Sequence, residues 1–172
     1  MSSERPSCKG KNLILLLLLI VLPVILFAGY SRPEASAAVQ SKTGLQASQS
    51  APAAVICAYV NGKSLSIRPE KNSSAEAFIE ALRKSDITVE MHDYGNFEKV
   101  GPLGRTLPRN DERITTEPGD VILYQGNQIT IYYDVNSWSF TRLGKVQQLS
   151  QDELKEILGK GDVTVTFSLK QR

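Results

Sequence analysis

Polar and apolar positions alternate over VTVTFSL, residues 163 to 169, so that Val163, Val165, Phe167 and Leu169 share one face and Thr164, Thr166 and Ser168 the other. A period of two marks a half-buried strand. The same period runs through ITVEM, residues 87 to 91, and through QITIYYD, where Ile129, Ile131 and Tyr133 oppose Thr130 and Tyr132. VILY, residues 121 to 124, is apolar throughout, which predicts burial on both faces. VICAYVNGKSLSIR, residues 55 to 68, holds two further runs joined by Asn61-Gly62, a strong hairpin signal. Turns are also expected at Gly95-Asn96, Pro118-Gly119 and Gly126-Asn127.

Two segments change period. In SSAEAFIEALRKS, Ala75, Phe78, Ile79 and Leu82 recur at helical intervals, and Ser73 and Glu76 have capping-box spacing. SQDELKEILGKG repeats the signal with Ser150 and Glu153, early acids and a stop near Gly159. Asn72-Ser73-Ser74 also fits a glycosylation acceptor, but a helix start explains the same residues. Many short strands with two helices, and no strand-helix-strand rhythm, predict a mainly β fold: a closed or nearly closed antiparallel barrel whose ends the helices cap.

Ahead of this domain, residues 1 to 37 read as a targeting segment. Arg5, Lys9 and Lys11 precede a charge-free run from Leu13 to Ala28, and Ala35-Ser36-Ala37 offers the small residues a signal peptidase reads. The run is close to the roughly 20 residues that span a bilayer, so two fates stay open: cleavage and export, or membrane attachment through residues 13 to 30. Residues 38 to 54, rich in Ser, Gln and Ala, read as a flexible linker, leaving residues 55 to 170 as one barrel domain. Residues 1 to 37 take four basic and two acidic side chains out of the chain's 20 and 18, leaving 16 of each. That balance removes the electrostatic case for nucleic acid. Cys57 is then the single cysteine of the exported part, which excludes an internal disulfide there and suits a buried, inert thiol.

Several stretches together resemble the bacterial cyclophilin-like domain family: MHDYGNFEKVGPLGRTLPRNDER, EPGDVILYQGNQITIYYD, FTRLGKV and the closing GDVTVTF. The resemblance implies a closed antiparallel eight-stranded barrel with two capping helices, related in fold to the cyclophilin prolyl isomerases. Those enzymes use a strand-borne arginine beside an apolar proline pocket to help the amide twist over a barrier of about 20 kcal/mol. The corresponding strand here, ITVEMHD, has no arginine, so the catalytic role does not transfer with the fold.

The candidate site residues follow from chemistry and position. His92 is the chain's one histidine, and without further ligands nearby it makes no metal site. No nucleophile elbow or phosphate-cradling glycine pattern is present, and no cofactor is expected. Arg105, Arg109 and Arg113 lie four apart, but Pro108 rules out a helical stripe and predicts a long inter-strand loop ending at Pro118-Gly119. Arg109 and Arg113 could hold a ligand carboxylate, or be satisfied by Asp111 and Glu112, with Arg113 pinning the loop. Arg105, with no acid beside it, is the arginine expected to contact a ligand. Tyr124, Tyr133, Trp138 and Phe140 supply aromatic area, with Trp138 expected to be partly exposed, and His92 and Tyr94 lie near the same wall. The sequence therefore predicts an exported barrel that binds a peptide or small molecule in a cleft beside residues 104 to 113. A divergent prolyl isomerase acting on exported proteins and a non-catalytic structural accessory are the alternatives.

Overall fold

The structure is a computed structural model that describes residues 54–169. The expectations placed on residues 1 to 37 and on the linker up to residue 53 fall outside the described residues. Strands β1 (Ile56–Val60) and β2 (Lys63–Pro69) form the first hairpin, with Asn61 and Gly62 at φ 48° and 72°. Asparagine and glycine tolerate that left-handed backbone with least strain, so this pair sets the register. Cys57 is buried on β1.

Helix α1 (Ser73–Lys84) follows, and its cap is Asn72 rather than Ser73. Asn72 Oδ1 accepts the Ala75 N–H at 2.8 Å, as an N-cap does. The serine hydroxyls serve a distant segment instead: Asn110 Nδ2 donates to Ser73 and Ser74, and Ser74 Oγ donates to the Pro108 carbonyl at 2.6 Å. The apolar face buries Ala75, Phe78 and Leu82, and Phe78 meets Phe167 edge-on with ring centroids 5.7 Å apart.

The remaining elements are β3 (Ile87–Tyr94), β4 (Glu98–Pro102), β5 (Glu112–Thr115), β6 (Asp120–Tyr124), β7 (Gln128–Tyr132), β8 (Ser137–Val146), α2 (Gln151–Leu158) and β9 (Val163–Leu169). The β6–β7 turn is centred on Gln125 and Gly126, one residue earlier than expected, both with positive φ. Strand order is β2-β1-β9-β3-β4-β7-β6-β8, closed by a β2–β8 pairing with every pair antiparallel. This is the expected eight-stranded barrel. The difference is β5, which hydrogen-bonds to β8 from outside the wall, within what reads in sequence as an uninterrupted loop.

Alternation fills the interior. Ile56 and Ala58 of β1, Ile129 and Ile131 of β7, and Val163, Val165 and Phe167 of β9 all point inward. Phe78 and Leu82 of α1 close one end, where Ile87 pairs with Phe167, and Leu154 and Leu158 of α2 close the other. α2 begins with the expected capping box of Ser150 and Glu153. Beneath it, the wholly buried Lys99 donates to Asp93 Oδ2 at 2.6 Å and to the Gly161 carbonyl at 2.7 Å, while the Tyr133 hydroxyl donates to Asp93 Oδ1 at 2.6 Å. Burial alone would raise the Asp93 carboxyl, but these two donors and the Lys99 charge hold it below its ordinary value. On β4 the wall bends so closely over β3 that a Cβ at Gly101 would lie 2.3 Å from the Glu90 carbonyl oxygen.

β8 belongs to two layers. Ser137 to Phe140 pair with β5, whereas Thr141 to Lys145 pair with β6. A register shift at Val121/Ile122 leaves Leu143 as an extra residue on β8. Such a bulge bends a strand and strengthens its twist, which fits the departure of residues 137 to 140 from the wall.

Candidate functional site: an aromatic cleft on the outer wall

The outward faces of β3, β4, β7 and β6, together with the departing end of β8, enclose a cleft of about 330 Å³. That lies within the size of sites that take small organic molecules. Its wall is an arc of rings. Tyr94 meets Phe97 edge-on at 5.9 Å, Phe97 stacks on Tyr132 at 6.0 Å, Tyr132 tilts against Phe140 at 5.6 Å, and Phe140 meets Tyr124 edge-on at 6.2 Å. Ile122, Tyr132 and Phe140 form a small second core here, separate from the barrel interior. The rim carries Tyr94 and Trp138, 58 % and 57 % exposed, two of the three large apolar side chains exposed among the described residues. Clustered exposed apolar area is what marks a binding surface.

Glu98 lies in this arc, paired in register with Tyr132 across the β4–β7 ladder. Its residue is 7 % exposed, and its Oε2 is buried with no hydrogen-bond partner. Burial pushes the Glu98 carboxyl above its ordinary value, partly offset by the Tyr132 hydroxyl and by His92. Burial, followed by the hydrogen bond to Glu98 and its charge, pushes the Tyr132 phenol far upward in turn. An unsatisfied buried polar atom is uncommon in folded proteins and calls for a reason.

A stability prediction follows from the sign of this shift. Folded Glu98 holds its proton more tightly than the unfolded chain does, so its destabilising effect is absent below the unfolded carboxyl value and grows as pH rises through the raised one. Glu98→Gln is therefore expected to stabilise the domain by about 1 kcal/mol at neutral pH, and by progressively less in acid. Thermal melts across a pH series check this, and a gain that does not change with pH would contradict it.

The predicted site residues separate into three groups. His92, Tyr94, Tyr124, Trp138 and Phe140 come together in the cleft. Tyr133 faces the barrel interior beneath α2, as its alternation with Tyr132 requires. Arg105, Arg109 and Arg113 line none of the described cavities. Arg109 is ion-paired to Asp111, one of the pairings the sequence leaves open. Arg105 and Arg113 are exposed, and neither forms an ion pair among the described residues. The anchoring expected of Arg113 falls to other residues. Leu103 and Leu107 are buried in the core, the Asn110 N–H donates to Thr141 Oγ1 at 2.8 Å, and Thr141 donates to Asp111 Oδ1 at 2.5 Å. Buried leucines and partly buried hydrogen bonds hold a loop against solvent better than exposed guanidinium groups do.

Phe97, Glu98, Val100, Gln128, Tyr132 and Asn136 also line the cleft, and sequence reasoning did not single them out. One signal was available. The alternation that turns Ile129 and Ile131 inward turns Tyr132 outward, and a large aromatic on the outer face of a barrel needs a cover or a ligand.

Residues 58–168 match the model of the cyclophilin-like family, and the chain belongs to that family. Among solved structures, one described as "Structure of McbB in complex with tryptophan" is similar, with a TM-score of 0.52 at 16% identity. The likeness covers 68% of this chain and 45% of that one, and at this identity it concerns the fold. No curated protein matches the chain by sequence.

Proposed function

We propose that this protein is an exported cyclophilin-like domain that binds a small organic molecule, or one side chain of a peptide, in the aromatic cleft on its outer wall. The observation that carries the proposal is the arc of Tyr94, Phe97, Tyr132, Phe140 and Tyr124 around a buried carboxyl with an unpartnered oxygen. An apolar concavity with one convergent polar group is the usual form of a small-molecule site. A barrel of similar fold described in complex with tryptophan supports the same class of ligand. Export rests on the pattern of residues 1 to 37. The isomerase alternative draws no support from the cleft, because no arginine lines it to polarise a proline amide.

Trp138 is the chain's one tryptophan and stands on the cleft rim, so its emission reports occupancy directly. Titration with a panel of single-ring aromatic compounds is expected to give a saturable change in Trp138 emission. Tyr124→Ala, at a half-buried position in the wall, should weaken the responding compound about tenfold by removing ring contact. A panel without a saturable response would overturn the proposal.

A further inference from the structure

We infer that the cleft selects an organic cation, an ammonium or guanidinium head placed against Glu98 and enclosed by the rings of Tyr94, Tyr124 and Trp138. This rests on the cleft being the binding site and names the chemistry of its ligand. Three observations converge. Glu98 is buried in the cleft wall, and its Oε2 lacks a donor. No lysine or arginine lines the cleft, so His92 is the one side chain there able to carry a positive charge. The remaining wall is chiefly aromatic, and ring faces carry negative potential that attracts cations and repels carboxylates.

Other acids of the domain show what is missing at this one. Asp93 is met by Lys99 and Tyr133, Asp120 by Arg142 and Lys145, and Asp111 by Arg109 and Thr141. Glu98 is more deeply buried than Asp93 or Asp111 and forms no ion pair among the described residues, with His92 acting on it only from a distance. A ligand ammonium supplies both the N–H donor that Oε2 lacks and a cation in direct contact with the carboxyl, which no side chain among the described residues provides. The specificity is a difference in affinity. A neutral isostere of the ligand gains the aromatic contacts and leaves the carboxyl unsatisfied, and an anionic one adds repulsion from both Glu98 and the rings.

The test compares three probes of one shape on the full chain: phenethylamine, phenethyl alcohol and hydrocinnamate, followed by Trp138 emission and by calorimetry at neutral pH. Phenethylamine is expected to bind about tenfold or more tightly than the alcohol, with hydrocinnamate weakest. In Glu98→Gln, checked for folding by its thermal melt, the amine-to-alcohol affinity ratio should fall several-fold, to the smaller preference that the ring faces supply alone. A lysine side chain carries the same head group as a free amine. An acetylated and amidated Gly-Lys-Gly peptide forms the second arm, and whichever arm shows the Glu98-dependent preference identifies the source. Equal binding of amine and alcohol overturns the cation assignment and leaves the cleft standing as a site, as does a preference that is undiminished in Glu98→Gln. Silence of all the probes overturns both.

Discussion

Asp93→Asn is expected to destabilise the domain by about 3–5 kcal/mol, the effect of leaving a buried charge without its partner. The asymmetry of the pair sets the size of the loss. The Lys99 side chain is wholly buried, whereas that of Asp93 is 28% exposed. Asp93→Asn therefore leaves an ammonium that water does not reach without its countercharge, and one amide oxygen in place of the two carboxylate oxygens that accept from Lys99 and Tyr133. Lys99→Met strands a carboxylate that solvent and Tyr133 still stabilise, and it should lose less. Domains of this size are stable by about 5–15 kcal/mol, so Asp93→Asn approaches the limit of folding. The pH dependence has a definite sign. Because the folded Asp93 value is depressed, the stability it contributes is present above the unfolded carboxyl value and is lost as pH falls through the folded one. Urea unfolding of both variants across an acid series measures this. An Asp93→Asn protein as stable as the parent would show that the pair contributes little, and one less affected than Lys99→Met would overturn the asymmetry.

Gly101→Ala is expected to follow, with a loss of about 3 kcal/mol from overpacking. The added methyl would lie 2.3 Å from the Glu90 carbonyl oxygen and 2.6 Å from Val89 Cγ1. The nearer atom is backbone, so a rotamer change cannot relieve the clash and the β3–β4 seam must open. That seam carries His92 and Tyr94 on one strand and Glu98 and Val100 on the other, so ligand binding in the cleft should weaken together with the melting temperature. A variant that melts within a degree of the parent would mean the wall has slack at this corner.

These two positions also show where sequence reading stops. The barrel was legible because most of its elements carry local signals that agree with their tertiary role. Asn61-Gly62 turns the hairpin it predicts, VTVTFSL shows its inward face by alternation, and Ser150 with Glu153 caps α2. β5 carried no such signal, since ERIT is four mostly exposed residues whose strand conformation comes from pairing with β8. Asn72 and Ser73 are both competent caps, and the contact of Ser73 with Asn110, 37 residues away, decides between them.

The site is harder for the same reason. Glu98 and Lys99 are adjacent charged residues in a sequence that reads as surface, yet the wall buries one facing out and the other facing in. Only closure of the barrel brings Tyr132 beside the first and Gly161 beside the second. The arginines drew attention for the opposite reason. Their spacing is conspicuous in one dimension, yet in three it joins only Arg109 to Asp111 and brings none of them to a described cavity.

Barrel closure gives β5 and Arg113 a different significance. Each of the eight wall strands has a partner strand on both sides, so among the described strands β5 alone has a margin with no partner strand. Such a margin is where a second chain could add a strand and begin an aggregate, a hazard that proteins limit by keeping it short and charged. The margin of β5 is four residues long and carries Glu112 and Arg113, both exposed. The Arg113 guanidinium, which lines none of the described cavities, puts charge on the strand margin where a copy of this domain would otherwise add a strand.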